Sequence, residues 1–156
     1  MSPPVQFSSL TEWSIAHIRR IFEAPNDSEA VRAISETFSP TVSATLNGSP
    51  IPREGIDKLV LTMRQGSIGG NGLKVEWKHT VESPMDPSTN RDGSFGGVYV
   101  ITGLRKSLPG SDEPVPFARH KTVTVRIESQ NAEDYSMDSR RIVHLVFVAS
   151  DIQSRL

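Results

Sequence analysis

Apolar residues recur every three or four positions in the first third of the chain and every second position in the second half. That change of period marks a passage from helices to strands. Leu10, Trp13, His17, Ile18, Ile21 and Phe22 fall on one face of a helix over residues 10–22. Ser9-Leu10-Thr11-Glu12 ahead of it fits a capping box, in which the serine accepts from the third amide. Pro3 and Pro4 exclude helix before that point, so residues 1–8 read as an extended arm and 9–152 as one domain. Ala30, Val31, Ile34 and Phe38 mark a second helix, capped by Asp27 or Ser28 and stopped by Pro40. Residues 42–46 and 49–51 flank Asn47-Gly48, the dipeptide of a two-residue hairpin. Ile56, Leu59, Val60 and Met63 then give a third helix, opened by Pro52 and closed by Gly66.

Beyond Gly66 the pattern alternates. Leu73, Val75, Trp77, His79 and Val81 lie opposite Lys74, Glu76, Lys78, Thr80 and Glu82, which predicts a strand wet on one face. Residues 83–95 read as a long loop. Strands follow over 97–106, 117–128 and 140–150. The first of these carries Tyr99 and Ile101 in one phase. The second sets Val123, Val125 and Ile127 against Thr122, Thr124 and Arg126. The last, Ile142 to Val148, is apolar in both phases, as in a strand central in its sheet or covered on both sides. Helices first and consecutive strands afterwards predict an α+β domain, three N-terminal helices packed on a strongly curved, mixed, mainly antiparallel sheet.

Composition narrows the chemistry. The 156 residues hold 17 basic and 18 acidic side chains, a net charge of −1, so the electrostatic footprint of a nucleic-acid binder is missing. The absence of cysteine excludes thiol nucleophiles, disulfides and cysteine metal sites. No apolar run is long enough for a membrane span and no secretory signal is evident, from which we expect a cytoplasmic protein, nucleus included. The four histidines show no i, i+2 or i, i+4 pairing, so neither a metal nor a cofactor is expected. The glycines of residues 66–72 follow a helix and precede a strand, the reverse of a phosphate loop.

The order of elements resembles the nuclear-transport-factor-2-like superfamily, cone-shaped domains that include ketosteroid isomerase, scytalone dehydratase and the SnoaL-like polyketide cyclases. The helix of residues 10–22, the second helix ending in Phe38-Ser-Pro, and the strand Ser43-Ala-Thr-Leu-Asn-Gly48 carry the likeness over residues 7–152. The resemblance implies a cone that holds an apolar small molecule, or a sheet face that pairs with a second copy or a partner protein. It also implies, if the chain is an enzyme, a cyclase, dehydratase or isomerase. The isomerase's base position falls on Asn47-Gly48 and its acid position on Val123 and Val125, none of which can exchange a proton. The dehydratase pattern instead points to His79, with Tyr99 or His17 as hydrogen-bond partner and Glu23 as the nearest acid.

The expected site is thus His79 and Tyr99 as catalytic candidates, in a pocket walled by Trp13, His17, Val75, Trp77, Tyr99 and Phe117. Arg119-His120-Lys121 and Arg140-Arg141 read as solvated strand ends that discourage edge pairing. Two functions follow: an apolar small-molecule binder without a readable catalytic carboxylate, or a non-catalytic module that forms a homodimer through its sheet.

Overall fold

The computed structural model describes residues 5–67, 72–110 and 112–154. Helices α1 (Leu10–Glu23) and α2 (Asp27–Thr37) lead into the hairpin of β1 (Phe38–Leu46) and β2 (Ser49–Ile51), and α3 (Arg53–Gln65) follows. Four long strands complete the chain: β3 (Lys74–Pro84), β4 (Gly93–Lys106), β5 (Val115–Ser129) and β6 (Arg140–Gln153). They form one sheet in the order β2-β1-β6-β5-β4-β3. Neighbours are antiparallel except β1 and β6, which run parallel. The fold is therefore α+β with a mixed, mainly antiparallel sheet.

The ends of the elements have local causes. Ser9 Oγ accepts the Glu12 N–H at 3.0 Å and caps α1 as expected. The cap of α2 is Asn26, whose Oδ1 accepts the Glu29 N–H at 2.9 Å, and not Asp27 or Ser28. Asp27 instead sits in the first turn, where a carboxylate favours the helix N-terminus. β1 begins directly at Phe38, so Pro40 lies in a strand rather than after a helix. It falls between Phe38 and Ser43, where the register with β6 shifts, and its missing N–H costs no regular ladder bond. Asn47 and Gly48 take φ of 50° and 84°, the left-handed values that their hairpin turn needs. The expected loop over 83–95 is shorter, because β3 continues to Pro84 and β4 begins at Gly93. Gly66 caps α3, and residues 68–71 of the glycine segment lie outside the described residues.

All three helices pack on the same face of the sheet: α1 on β3 and β4, α2 on β1 and β6, and α3 on β1. Leu10, Ile21, Ile34, Val125, Ile127 and Ile142 are at most 2% exposed between the two layers. Arg64, 1% exposed, bonds Asp27 at 2.8 Å and the Phe22 carbonyl at 3.2 Å, so one guanidinium on α3 joins the other two helices. Arg140 contradicts the expectation of a solvated strand end. It is 1% exposed, binds the Asp138 carboxylate, Ser8 and the Asn90 carbonyl, and lies over the rings of Phe7 and Trp13. It therefore pins the segment before α1 and the β3–β4 loop to β6. Among the described residues no helix is long and apolar enough to cross a membrane.

Two bulges decide which side chains face the helices. β3 carries an extra residue between Trp77, which pairs with Tyr99, and His79, which pairs with Val98. β6 carries one between Ile142, opposite Ile127, and His144, opposite Arg126. One inserted residue exchanges the two faces for everything that follows.

Candidate functional site

The space between helices and sheet opens beside Arg119 and Lys121, and its shape is set by β5. Lys121, Val123, Val125 and Ile127 alternate toward the helices, while Thr122, Thr124 and Arg126 point away. Deep in the layer the apolar side chains leave a narrow throat of about 40 Å³, bounded by Phe22 of α1, Val60 of α3, Tyr99, Lys121, Val123 and Phe147. Next to the throat lies a larger mouth of about 410 Å³. Leu46, Leu59, Met63, Lys106, Arg119, Lys121, Phe147 and Asp151 border that mouth. Lys121, Leu59, Met63 and Phe147 border both spaces, so they form the neck between them.

Lys121 is the group with the unusual environment. It is 7% exposed. Its Nζ lies 4.9 Å from the ring centre of Phe22, 5.0 Å from Phe147 and 5.6 Å from Tyr99. Among the described residues no carboxylate pairs with it: Asp151 is taken by Arg119, at 2.6 and 2.9 Å, and by Lys106 at 2.8 Å. Burial, reinforced by the nearby Arg119 charge, lowers the Lys121 pKa from 10.5 to about 7, with Asp151 opposing weakly. Hydrogen bonds from Arg119 and Lys106 hold the Asp151 carboxyl down at about 2, although partial burial works the other way. Burial pushes the Tyr99 hydroxyl above its ordinary value, so it stays protonated. The neck therefore carries an amine that is partly neutral near pH 7, with a firmly ionised carboxylate, already in use, in the mouth and a neutral phenol in the throat.

The expected site residues divide. Tyr99, 3% exposed, lines the throat. His79 does not: the bulge before it turns it to the outer face, where it is exposed. Val81, expected in the same inner phase, is 70% exposed for the same reason, while Glu82 turns inward and accepts the Thr11 N–H. Trp77 packs 4.6 Å from Tyr99 and 5.7 Å from Phe95, behind the wall rather than in the cavity. Val75 and Phe117 are buried in the core without bordering the throat or the mouth. Trp13 and His17 stack on each other at 4.2 Å beside Arg140, away from both spaces, and Ile18, Ile21 and Phe22 of the same helix face the throat in their place. The His17 pKa is lowered, chiefly by burial, against the bond its ring makes to the Trp13 carbonyl at 2.8 Å. Glu23 accepts the Val75 N–H at 2.9 Å, a structural task. Among the described residues, no three histidine, aspartate or glutamate side chains converge as a metal site would require.

Lys121 escapes a reading by charge, because Arg119, His120 and Lys121 look like one basic cluster. Read by phase, it joins Val123, Val125 and Ile127, and that alternation is the signal that places it inside.

Comparison with known proteins supports this architecture. No protein-family model matches the sequence, and no curated protein matches it. Solved structures do. A loop-truncation variant of IdmH superposes with a TM-score of 0.54 at 16% identity, over 87% of this chain and 91% of that one. A SnoaL-like family protein from Agrobacterium tumefaciens gives 0.52 at 11% identity, over 88% and 96%. An NTF2-like protein of unknown function from Exiguobacterium sp. gives 0.55 at 20% identity, over 89% and 99%. The chain has the nuclear-transport-factor-2-like cone fold. At these identities the likeness concerns fold, and activity must be argued from the site.

Proposed function

We propose that this chain binds a small organic molecule in the mouth of its cone, with an apolar part against Leu59, Met63 and Phe147 and a polar part at Lys121. The observation that carries the reading is a mouth of about 410 Å³, a volume ordinary for small-molecule sites, which shares Leu59, Met63, Lys121 and Phe147 with the apolar throat behind it. A few polar groups at the neck of an apolar space would fix a ligand's orientation. The mouth also bears on what sort of molecule fits. Lys106, Arg119 and Lys121 outnumber Asp151, so the ligand's outer end is polar rather than purely hydrocarbon. If the site is catalytic, Lys121 is its best-placed proton acceptor, since Asn47, Val123 and Val125 stand where the related isomerases carry acids.

Titration calorimetry with 2-naphthalenemethanol tests this. The wild type is expected to bind one equivalent saturably. Leu59→Trp, which fills the neck from α3, is expected to abolish that binding while the circular dichroism spectrum is unchanged. Absence of saturable binding to the wild type, or unchanged binding to Leu59→Trp, would refute the reading.

The homodimer reading is supported by a separate observation. Val146, Val148 and Ile152 on the outer face of β6 are 40%, 55% and 53% exposed. A second copy would cover them, and light scattering on the wild type and on Val148→Lys would separate a dimer from a monomer.

A further inference from the structure

We propose that Lys121 is a carbonyl-capturing amine: an aldehyde or ketone entering the mouth condenses with its Nζ to form an imine. This rests on the reading that the mouth admits a small organic molecule, and it specifies the class of that molecule and the atom it meets.

The argument is geometric first. An amine acts as a nucleophile toward a carbonyl only when unprotonated, and proteins favour that form by desolvating a lysine or by setting it beside another cation. Both conditions hold at the neck. Phe22, Tyr99 and Phe147 surround Nζ at 4.9 to 5.6 Å, and none of them offers it a carboxylate. Arg119 stands two residues away on the same face of β5. The other charged groups that share the mouth are Lys106 of β4, a second cation, and Asp151 of β6, whose two oxygens are engaged by Arg119 and Lys106. From the remaining elements come Leu59 and Met63 of α3 at the neck, Phe22 of α1 in the throat and Leu46 of β1 in the mouth, none of them titratable. A structural lysine would be expected to reach solvent or a carboxylate, as Lys78 reaches Glu76 at 2.9 Å. Lys121 has no carboxylate partner among the described residues, and it borders the mouth, through which a solute could approach it. With its pKa near 7, the neutral fraction at pH 7 exceeds that of an ordinary lysine on the order of a thousandfold.

The chemistry balances without a further reagent. The Nζ lone pair attacks the carbonyl carbon and the C=O pair moves onto oxygen. A proton leaves nitrogen and another reaches the oxygen through water in the open mouth, giving a carbinolamine. The nitrogen pair then forms C=N as the hydroxyl departs with a proton as water. One carbonyl compound and one amine become one imine and one water, with no change of oxidation state. The aromatic cage suits the protonated imine, a cation delocalised over carbon and nitrogen, by cation–π attraction.

The test is trapping. The full chain is treated at pH 7 with 2-naphthaldehyde and cyanoborohydride, which reduces an imine to a stable secondary amine, and the adducts are mapped by peptide mass spectrometry. The chain has four other lysines, at positions 58, 74, 78 and 106, all exposed and serving as internal standards. The expected result is labelling of Lys121 at least tenfold faster than any of these, and loss of that adduct alone in Lys121→Met. Labelling of the exposed lysines with Lys121 unmodified or slower would overturn the proposal, and the wild-type map alone decides this even if the variant misfolds. Titration with 2-naphthalenemethanol, which has the same ring system and no carbonyl, separates the two levels of the argument. Binding of the alcohol without an adduct at Lys121 overturns the imine and leaves the binding site standing. Absence of both removes the site as well.

Discussion

Lys121 shows what a single position gains and loses by its phase on a strand. Its ammonium form is disfavoured in the fold and unhindered in the unfolded chain, so the two states bind protons differently. Between about pH 7 and 10.5 the unfolded chain holds the additional proton, and stability rises with pH across that window. Below pH 7 both states are protonated and the whole penalty is present. Lys121→Met removes the amine and keeps the length of the side chain. We expect the variant to be more stable than the wild type by on the order of 2 kcal/mol at pH 7, and the gap to close toward pH 10.5. Urea titrations at the two pH values measure it, and a variant less stable than the wild type at pH 7 would contradict the assigned burial. His17 adds a smaller effect of the same sign lower down. Its depressed pKa means that stability falls as pH drops through about 6.5 and below, where the unfolded imidazole gains its proton first. Lys121 was within reach of the sequence through the phase of Val123, Val125 and Ile127. His79 was not, because its direction depends on one extra residue in β3 that no composition announces.

At the scale of elements, the termini and periods were readable and the irregularities were not. The Ser9 cap, the Asn47-Gly48 turn and the change from a period of 3.6 to one of 2 each have a residue chemistry that sequence displays directly. The bulges in β3 and β6 do not. They arise where strands must bend to stay against the helices, a tertiary demand. Another irregularity lies in β4 between Ile101 and Leu104, and there the sequence leaves a trace. Gly103 has φ of 89°, and the Gly72 carbonyl oxygen occupies the place that a Cβ would need. Gly103→Ala should therefore strain the backbone and force β3 and β4 apart at that end. A loss on the order of 2 kcal/mol in chemical denaturation is expected. A change below about 0.5 kcal/mol, typical of surface substitutions, would show that the kink is not held by the fold.

Over the whole molecule, the arrangement closes one end and leaves the other open. Arg140, with Asp138, Phe7, Ser8 and Trp13, seals the region where the chain enters α1, and this is why Trp13 and His17 belong to packing rather than to a pocket. Arg119, Lys106 and Asp151 ring the opposite end without filling it. The order of helices and strands was enough to indicate an α+β domain with helices packed on a curved antiparallel sheet, and the cone came from the family that this order resembles. Which end opens depends on side chains from five elements meeting in space, and no local pattern encodes that. The most direct measurement is a backbone and side-chain NMR titration of the isotopically labelled chain with 2-naphthalenemethanol. The account predicts saturable shifts concentrated at Leu46, Leu59, Met63, Lys121 and Phe147. Shifts confined to Val146, Val148 and Ile152 on the outer face, or none at all, would contradict it.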